Sequence, residues 1–237
     1  MSVPSHTPQP MHCRLEAYEF LADQLANIDC TQNLLRAAIA VSMHELEEVR
    51  IAAIERDLME LTNKIAARLN SSHHRAIIAH AHEVLFTEER FKGCRHDYYN
   101  PKHSYIPYVI KTRRGLPNTL SIVYKYILEQ LGLQVDGIGV PGHFIVQVTV
   151  SEMENAPPSV QLIDPFFSGR MMTGNEVTRR AHKMTGQLFD PSDIFQPVTH
   201  HQWLRRIILN LIKSFDQRGR TEDFNAMHEM LNLVDAH

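Results

Sequence analysis

One change of rhythm constrains this chain more than any other feature. Leu120, Val123, Tyr124, Ile127, Leu128 and Leu131 recur at three- and four-residue spacing, which is one face of an α-helix. Gly132 follows, at the position where a left-handed cap costs least. Beyond it the period collapses into short apolar runs, Leu133 to Val140, His143 to Val150 and Val160 to Asp164. These predict strands, and their short connections favour antiparallel pairing. A helix feeding directly into antiparallel strands predicts an α+β core. At the other end of the helix, Gly115 and Pro117 mark the opening turn, and Asn118 or Thr119 is placed to cap the free N–H groups.

This order of elements has a chemical consequence. If the last two strands pair, the start of one lies beside the end of the next. His143 opens the first and Asp164 closes the second, so imidazole and carboxylate come within hydrogen-bond reach at one edge of the sheet. Alternation puts Ile145, Gln147 and Thr149 on the side of His143, with Phe144, Val146 and Val148 facing the other way. A helix N-terminus, a histidine and a carboxylate brought together are the parts of a thiol or hydroxyl hydrolase site.

The order of helix, Gly-His-Phe strand and Ile-Asp-Pro strand resembles the transglutaminase-like core, whose fold is shared with papain-type cysteine proteases. More closely, a run of motifs resembles the bacterial SirB-type transglutaminase-like family. It comprises Leu85-Phe86, Phe91-Lys92-Gly93, Asp97-Tyr98-Tyr99-Asn100-Pro101, Ser104-Tyr105, Arg113-Arg114-Gly115-Leu116-Pro117, Pro141-Gly142-His143-Phe144 and Ile163-Asp164-Pro165-Phe166. The resemblance implies a papain/transglutaminase-like core, a central helix on an antiparallel sheet, flanked by N- and C-terminal helices. It carries the histidine and aspartate of the triad onto His143 and Asp164. It does not carry the nucleophile, because no cysteine opens the central helix; that position falls at Asn118 or Thr119.

The 237 residues allow one domain or two closely packed ones. Residues 1–10 are expected to be a disordered lead, polar and proline-rich, without the basic start and apolar core of a signal peptide. Residues 11–85 are expected to be helical. Helices are predicted around Leu15 to Leu25 and Leu34 to Val41, then over a longer stretch from Leu46 to Ile65, and from Ser71 to Leu85. The aromatic- and turn-rich stretch from Phe86 to Tyr108 reads as a packed loop. It opens the core, assigned to residues 86–200, which includes an exposed hairpin loop at 151–158 and a helix from Glu176 to Met184, broken by Gly186 and Pro191. Residues 201–237 are expected to form an amphipathic helix pair packed on the core, which the resemblance likens to a tetratricopeptide-like unit.

A net charge of −3 argues against general nucleic-acid or membrane-surface binding, since either requires a basic field. No apolar run approaches the ~20 residues of a spanning helix. Cys13, Cys30 and Cys94 are odd in number and widely spaced, which predicts reduced thiols in a cytoplasm.

The chemistry-bearing residues each have a plainer role beside the sharp one. Thr119 or Ser121 could attack with His143 as base, but a hydroxyl gains little from a helix dipole, and both fit capping roles. Asn118 is either a cap or an oxyanion donor. Cys94 precedes His143 and Asp164 in triad order, with Lys92 and Arg95 beside it to lower its pKa. Arg114, Tyr98 and Tyr99 are expected at the rim of a cleft that holds a peptide segment. Lys111, Arg113 and Arg114 otherwise pair with loop carboxylates such as Asp97. Among 15 histidines, no pattern has metal-ligand spacing, and His80 and His82 point ~200° apart around a helix. No metal and no cofactor is expected. The leading expectation is a catalytically inactive transglutaminase-like protein that binds another protein or peptide segment. The alternative is a hydrolase or acyl-transferase using His143 and Asp164 with Thr119, Ser121 or Cys94 as nucleophile.

Overall fold

A computed structural model describes residues 9–151, 157–188, 190 and 194–237. All but the last two residues of the expected lead fall outside the described residues, as do most of the expected hairpin loop and the break at Pro191. Four helices open the fold: α1 (Leu15–Leu25), α2 (Thr31–Met43), α3 (Ile51–Ala66) and α4 (His74–His82). A two-stranded parallel pair, β1 (Lys92–Gly93) and β2 (Arg114–Gly115), brackets the short helix α5 (Ile106–Thr112). The central helix α6 (Pro117–Gln130) then leads into β3 (Gln134–Ile138), β4 (Ile145–Val150), β5 (Ser159–Asp164) and β6 (Arg170–Met172). Helices α7 (Gly174–Thr185), α8 (His200–Gln217) and α9 (Thr221–Asp235) follow.

Helix α6 is the axis of the fold, buried without a break from Pro117 to Leu128. Proline at its first position is preset for helical φ and has no N–H to leave unpaired. Its one buried lysine, Lys125, is satisfied by Glu129 Oε1 at 2.6 Å and by the Val135 carbonyl. The sheet runs β3-β4-β5-β6, antiparallel throughout. Val146, Val148 and Val150 face the main core, while Ile145 joins Ile138, Leu162, Val177 and Ala181 in a smaller cluster beneath α7. The main core is one continuous body that includes residues from Cys13 to Val234. Helix outweighs strand, as the α+β reading expects.

Several boundaries differ from the sequence expectation. The helix expected from Leu46 begins only at Ile51. Glu45, at the start of the non-helical segment that precedes Ile51, is held by the Tyr105 hydroxyl at 2.7 Å and by Arg220 Nη1 at 3.3 Å. Leu46 and Val49 still pack against the core from that irregular segment. The helix expected from Ser71 to Leu85 is α4 followed by a π-helical turn, Glu83–Glu88. The stretch read as a loop contains a 3₁₀ turn, Pro101–Ser104, and the start of α5. Pro107 sits in the first turn of α5, where a missing N–H is harmless. Strand β6 has no counterpart among the expected strands.

Buried histidines make this fold acid-sensitive. His82 lies edge-on to Phe86 and places Nε2 2.9 Å from the Tyr124 hydroxyl. Burial lowers its pKa to about 4. The unfolded chain holds a histidine of ordinary pKa (~6.5), so it binds more protons than the native state between these values. Stability present above the unfolded value is therefore lost as pH falls towards 4, by up to about 3 kcal/mol from this ring. Burial shifts His103 and His200 in the same direction. Urea unfolding midpoints should fall between pH 7 and pH 4.5, and less steeply in His82→Gln; an unchanged slope in that variant would refute the assignment.

Candidate functional site

The site is assembled by the pairing of β4 with β5. Val146 lies opposite Ile163, so the residues just before β4 meet the last residue of β5. Pro141 and Gly142 form the turn that delivers His143, whose N–H donates to the Val140 carbonyl at 2.9 Å. His143 Nε2 then lies 2.6 Å from Asp164 Oδ2, with both side chains buried. A carboxylate only accepts, so Nε2 carries the hydrogen and Nδ1 is the nitrogen left for chemistry in the neutral ring. Asp164 Oδ1 accepts from the N–H groups of Phe166 at 3.1 Å and Phe167 at 3.3 Å, capping the turn Pro165–Phe167. Arg180 Nη1 approaches Asp164 Oδ2 at 3.5 Å. The Phe166 ring stands edge-on to His143. A Cβ on Gly93 would lie 2.3 Å from that ring, so the glycine of Phe-Lys-Gly makes room for the ring that braces the histidine.

The N-terminus of α6 faces the same cleft, of about 510 Å³, and Asn118, His143, Tyr98 and Tyr99 are among its lining residues. Asn118 is 2% exposed. Its Oδ1 accepts from the Thr119 N–H at 3.0 Å, and its carbonyl accepts from Trp203 Nε1 at 3.1 Å. Its Nδ2 is buried with no hydrogen-bond partner among the described residues. Trp203 packs on Phe144 with ring centroids 4.5 Å apart, and a Cβ on Gly137 would stand 2.4 Å from its ring.

The other residues singled out from the sequence lie elsewhere. The Thr119 hydroxyl accepts from the Leu116 N–H at 3.1 Å and donates to the His103 carbonyl at 3.0 Å. It is a buried cap outside the cleft lining. Ser121 is fully buried and also outside that lining. Cys94 donates to the His96 carbonyl at 2.8 Å and lines a neighbouring cleft with Arg114. Burial, then the nearby Asp97 carboxylate, raise its thiol pKa, the opposite of an activated nucleophile. Arg114 bonds the carbonyls of Arg90 and Arg113 and does not line the cleft that holds His143. Arg113 of the basic cluster pairs with Glu89, a carboxylate of the stretch read as a loop, whereas Asp97, the example expected, pairs instead with Arg218. Sequence reasoning missed Arg95, Arg180, Arg206 and Lys213 at the cleft. Their signal was only the polar faces of α7 and α8 and a loop arginine. Among the described residues no group of three or more His, Cys, Asp or Glu side chains could hold a metal ion, and no helix is long and apolar enough to cross a membrane.

Fold and site together define a class: a buried helix aimed at a histidine–aspartate pair on the edge of an antiparallel sheet. The chain belongs to the transglutaminase-like superfamily, whose profile matches residues 52–209. It is similar to a UPF0162 protein of Xylella fastidiosa (strain Temecula1), 30% identical over 138 residues, 56% of this chain and 47% of that one. A UPF0162 protein of Haemophilus influenzae is 31% identical over 159 residues, 64% of this chain and 54% of its own. Human F-box only protein 21 is 28% identical over 153 residues, 63% of this chain and 23% of its own. The chain spans about half the length of the bacterial relatives it matches. No solved structure matches it.

Proposed function

We propose that this chain is a transglutaminase-like protein that no longer transfers acyl groups and uses its cleft to hold a peptide segment of another protein. The observation that carries this reading is Asn118, an amide at the helix N-terminus on the same cleft as His143. Acyl transfer of the transglutaminase or papain kind needs a thiolate there, assisted by the imidazolium. An amide nitrogen is not a nucleophile, and neither the Thr119 hydroxyl nor the Cys94 thiol lines the cleft. The His143–Asp164 pair then serves to pin two strand ends and shape the cleft wall.

The same proposal includes the finer placement. The ordered motifs support the SirB-type group, and the α8–α9 pair supports a tetratricopeptide-like unit. The three cysteines, all unpaired, are in keeping with a cytoplasmic location. The proposal keeps the division into residues 11–85, 86–200 and 201–237, as segments that share one core.

The test is an assay with glutamine-donor and activated-ester substrates, run beside His143→Ala and Cys94→Ala. Wild type and both variants should give the same background rate. Turnover in the wild type that disappears in His143→Ala would overturn the inactive reading.

A further inference from the structure

We infer that the segment held in this cleft is acidic. This rests on the reading of the cleft as a peptide site and adds the chemistry of its occupant. The lining carries four cations, Arg95, Arg180, Arg206 and Lys213, and no carboxylate side chain. The whole chain bears a net charge of −3, so this positive patch is local. Arg180 is partly compensated by Asp164. Arg95, Arg206 and Lys213 have no carboxylate within ion-pair distance among the described residues.

The cations are held in position. Arg95 and Arg180 lie over the Phe167 ring at 4.7 and 4.5 Å, Arg206 over Phe144 at 5.4 Å, and Lys213 over Tyr99 at 4.8 Å. A guanidinium laid on an aromatic face keeps its edge free for a bidentate carboxylate. Arg206 is the most firmly anchored of the four: its Nη2 donates to the carbonyls of Val140 at 3.1 Å and His143 at 3.3 Å, which fixes its positive charge at the cleft wall. A half-buried cation without an anion is an unbalanced charge that an incoming carboxylate corrects.

Asn118 supplies the second, independent observation. Its Nδ2 is a buried donor without an acceptor, and buried polar groups are ordinarily paired. Its orientation is fixed, because a flipped amide would set NH₂ against the Thr119 N–H. The missing partner is therefore an oxygen, such as a peptide carbonyl or carboxylate. The cleft volume falls within the ~300–1,000 Å³ of ligand pockets. A cleft of this size with aromatic walls on a net-negative protein suits a short acidic segment better than a nucleic-acid strand.

The experiment uses the full chain and fluorescence anisotropy with labelled hexaglutamate, hexaglutamine and a six-residue oligothymidylate. Hexaglutamate should bind about tenfold more tightly than hexaglutamine at low salt, with the preference narrowing as salt rises. Arg95→Glu/Lys213→Glu, two exposed positions, should remove that preference with the circular dichroism spectrum unchanged. Equal binding of the two peptides would overturn the acidic specificity while leaving the peptide site standing. A preference that survives the charge reversal, or tighter binding of the oligothymidylate, would also overturn it. Absence of binding by any probe would remove both this inference and the peptide-site reading.

Discussion

Asp164→Ala is expected to destabilise the fold by about 3–5 kcal/mol, because it removes one half of a buried charge-assisted pair. Asp164 is fully buried and serves four groups: the ring nitrogen of His143, the N–H groups of Phe166 and Phe167, and the guanidinium of Arg180. Alanine leaves all four without their acceptor and offers no room for several waters to replace it. The turn Pro165–Phe167 loses its cap at the same time. Asp164→Asn keeps an acceptor for the two backbone donors but discards the charge that faces His143 and Arg180, so its loss should be about half as large. The chain has a single tryptophan, buried beneath the cleft, and its emission in a urea titration reads both variants directly. A loss below ~1 kcal/mol in Asp164→Ala would show that the pair contributes little more than an exposed one.

Trp203→Ala should be of comparable size, about 3–5 kcal/mol, as expected for deleting a large buried aromatic side chain. Trp203 is fully buried, rests on Phe144 and fills the space that Gly137 leaves open. It also donates to the Asn118 carbonyl, so it ties α8 to the first turn of α6. Trp203→Phe separates the two effects, since it keeps most of the packing and removes the donor; a loss of roughly 1–2 kcal/mol is expected. Both variants abolish the fluorescent reporter, and circular dichroism must follow their unfolding. Equal losses in the two variants would mean that the hydrogen bond, and not the packing, sets the contribution of this residue.

What the sequence made legible follows from how local each signal is. The helix from Leu120 to Leu131 and the strands after Gly132 are written in their own periodicity, so their existence could be read directly. The approach of His143 to Asp164 was legible for a related reason. Both residues stand at the ends of neighbouring apolar runs, and antiparallel pairing leaves little freedom in register. The choice between Asn118 and Thr119 was not legible. Successive residues in a helix differ by ~100° in direction, and tertiary packing decides which of them looks into the cleft. Thr119 turned inward, where its hydroxyl donates to the carbonyl of His103, 16 residues upstream in the 3₁₀ turn Pro101–Ser104. The cations were hidden by distance in sequence. Arginines on the polar faces of α7 and α8 look like any solvated helix surface until the fold carries them to His143. The late start of the helix expected from Leu46 was equally invisible, since Glu45, just before it, meets Tyr105 and Arg220 only in the fold.

The cleft draws Arg95, Asn118, His143, Phe166, Arg180 and Lys213 from scattered stretches of chain, so it ceases to exist once the chain unfolds. The proposed binding in this cleft and folding are then thermodynamically linked. Any occupant binds the native state alone, and at a hundred times its Kd it raises unfolding free energy by about 2.7 kcal/mol. Melting curves recorded across a peptide collection would thus rank candidate occupants by affinity, whatever their sequences. The same linkage forbids dissection by truncation. A chain cut before α8 would lack Trp203, Arg206 and Lys213, and its loss of binding would report on collapse of the fold, not on which helix makes the contact.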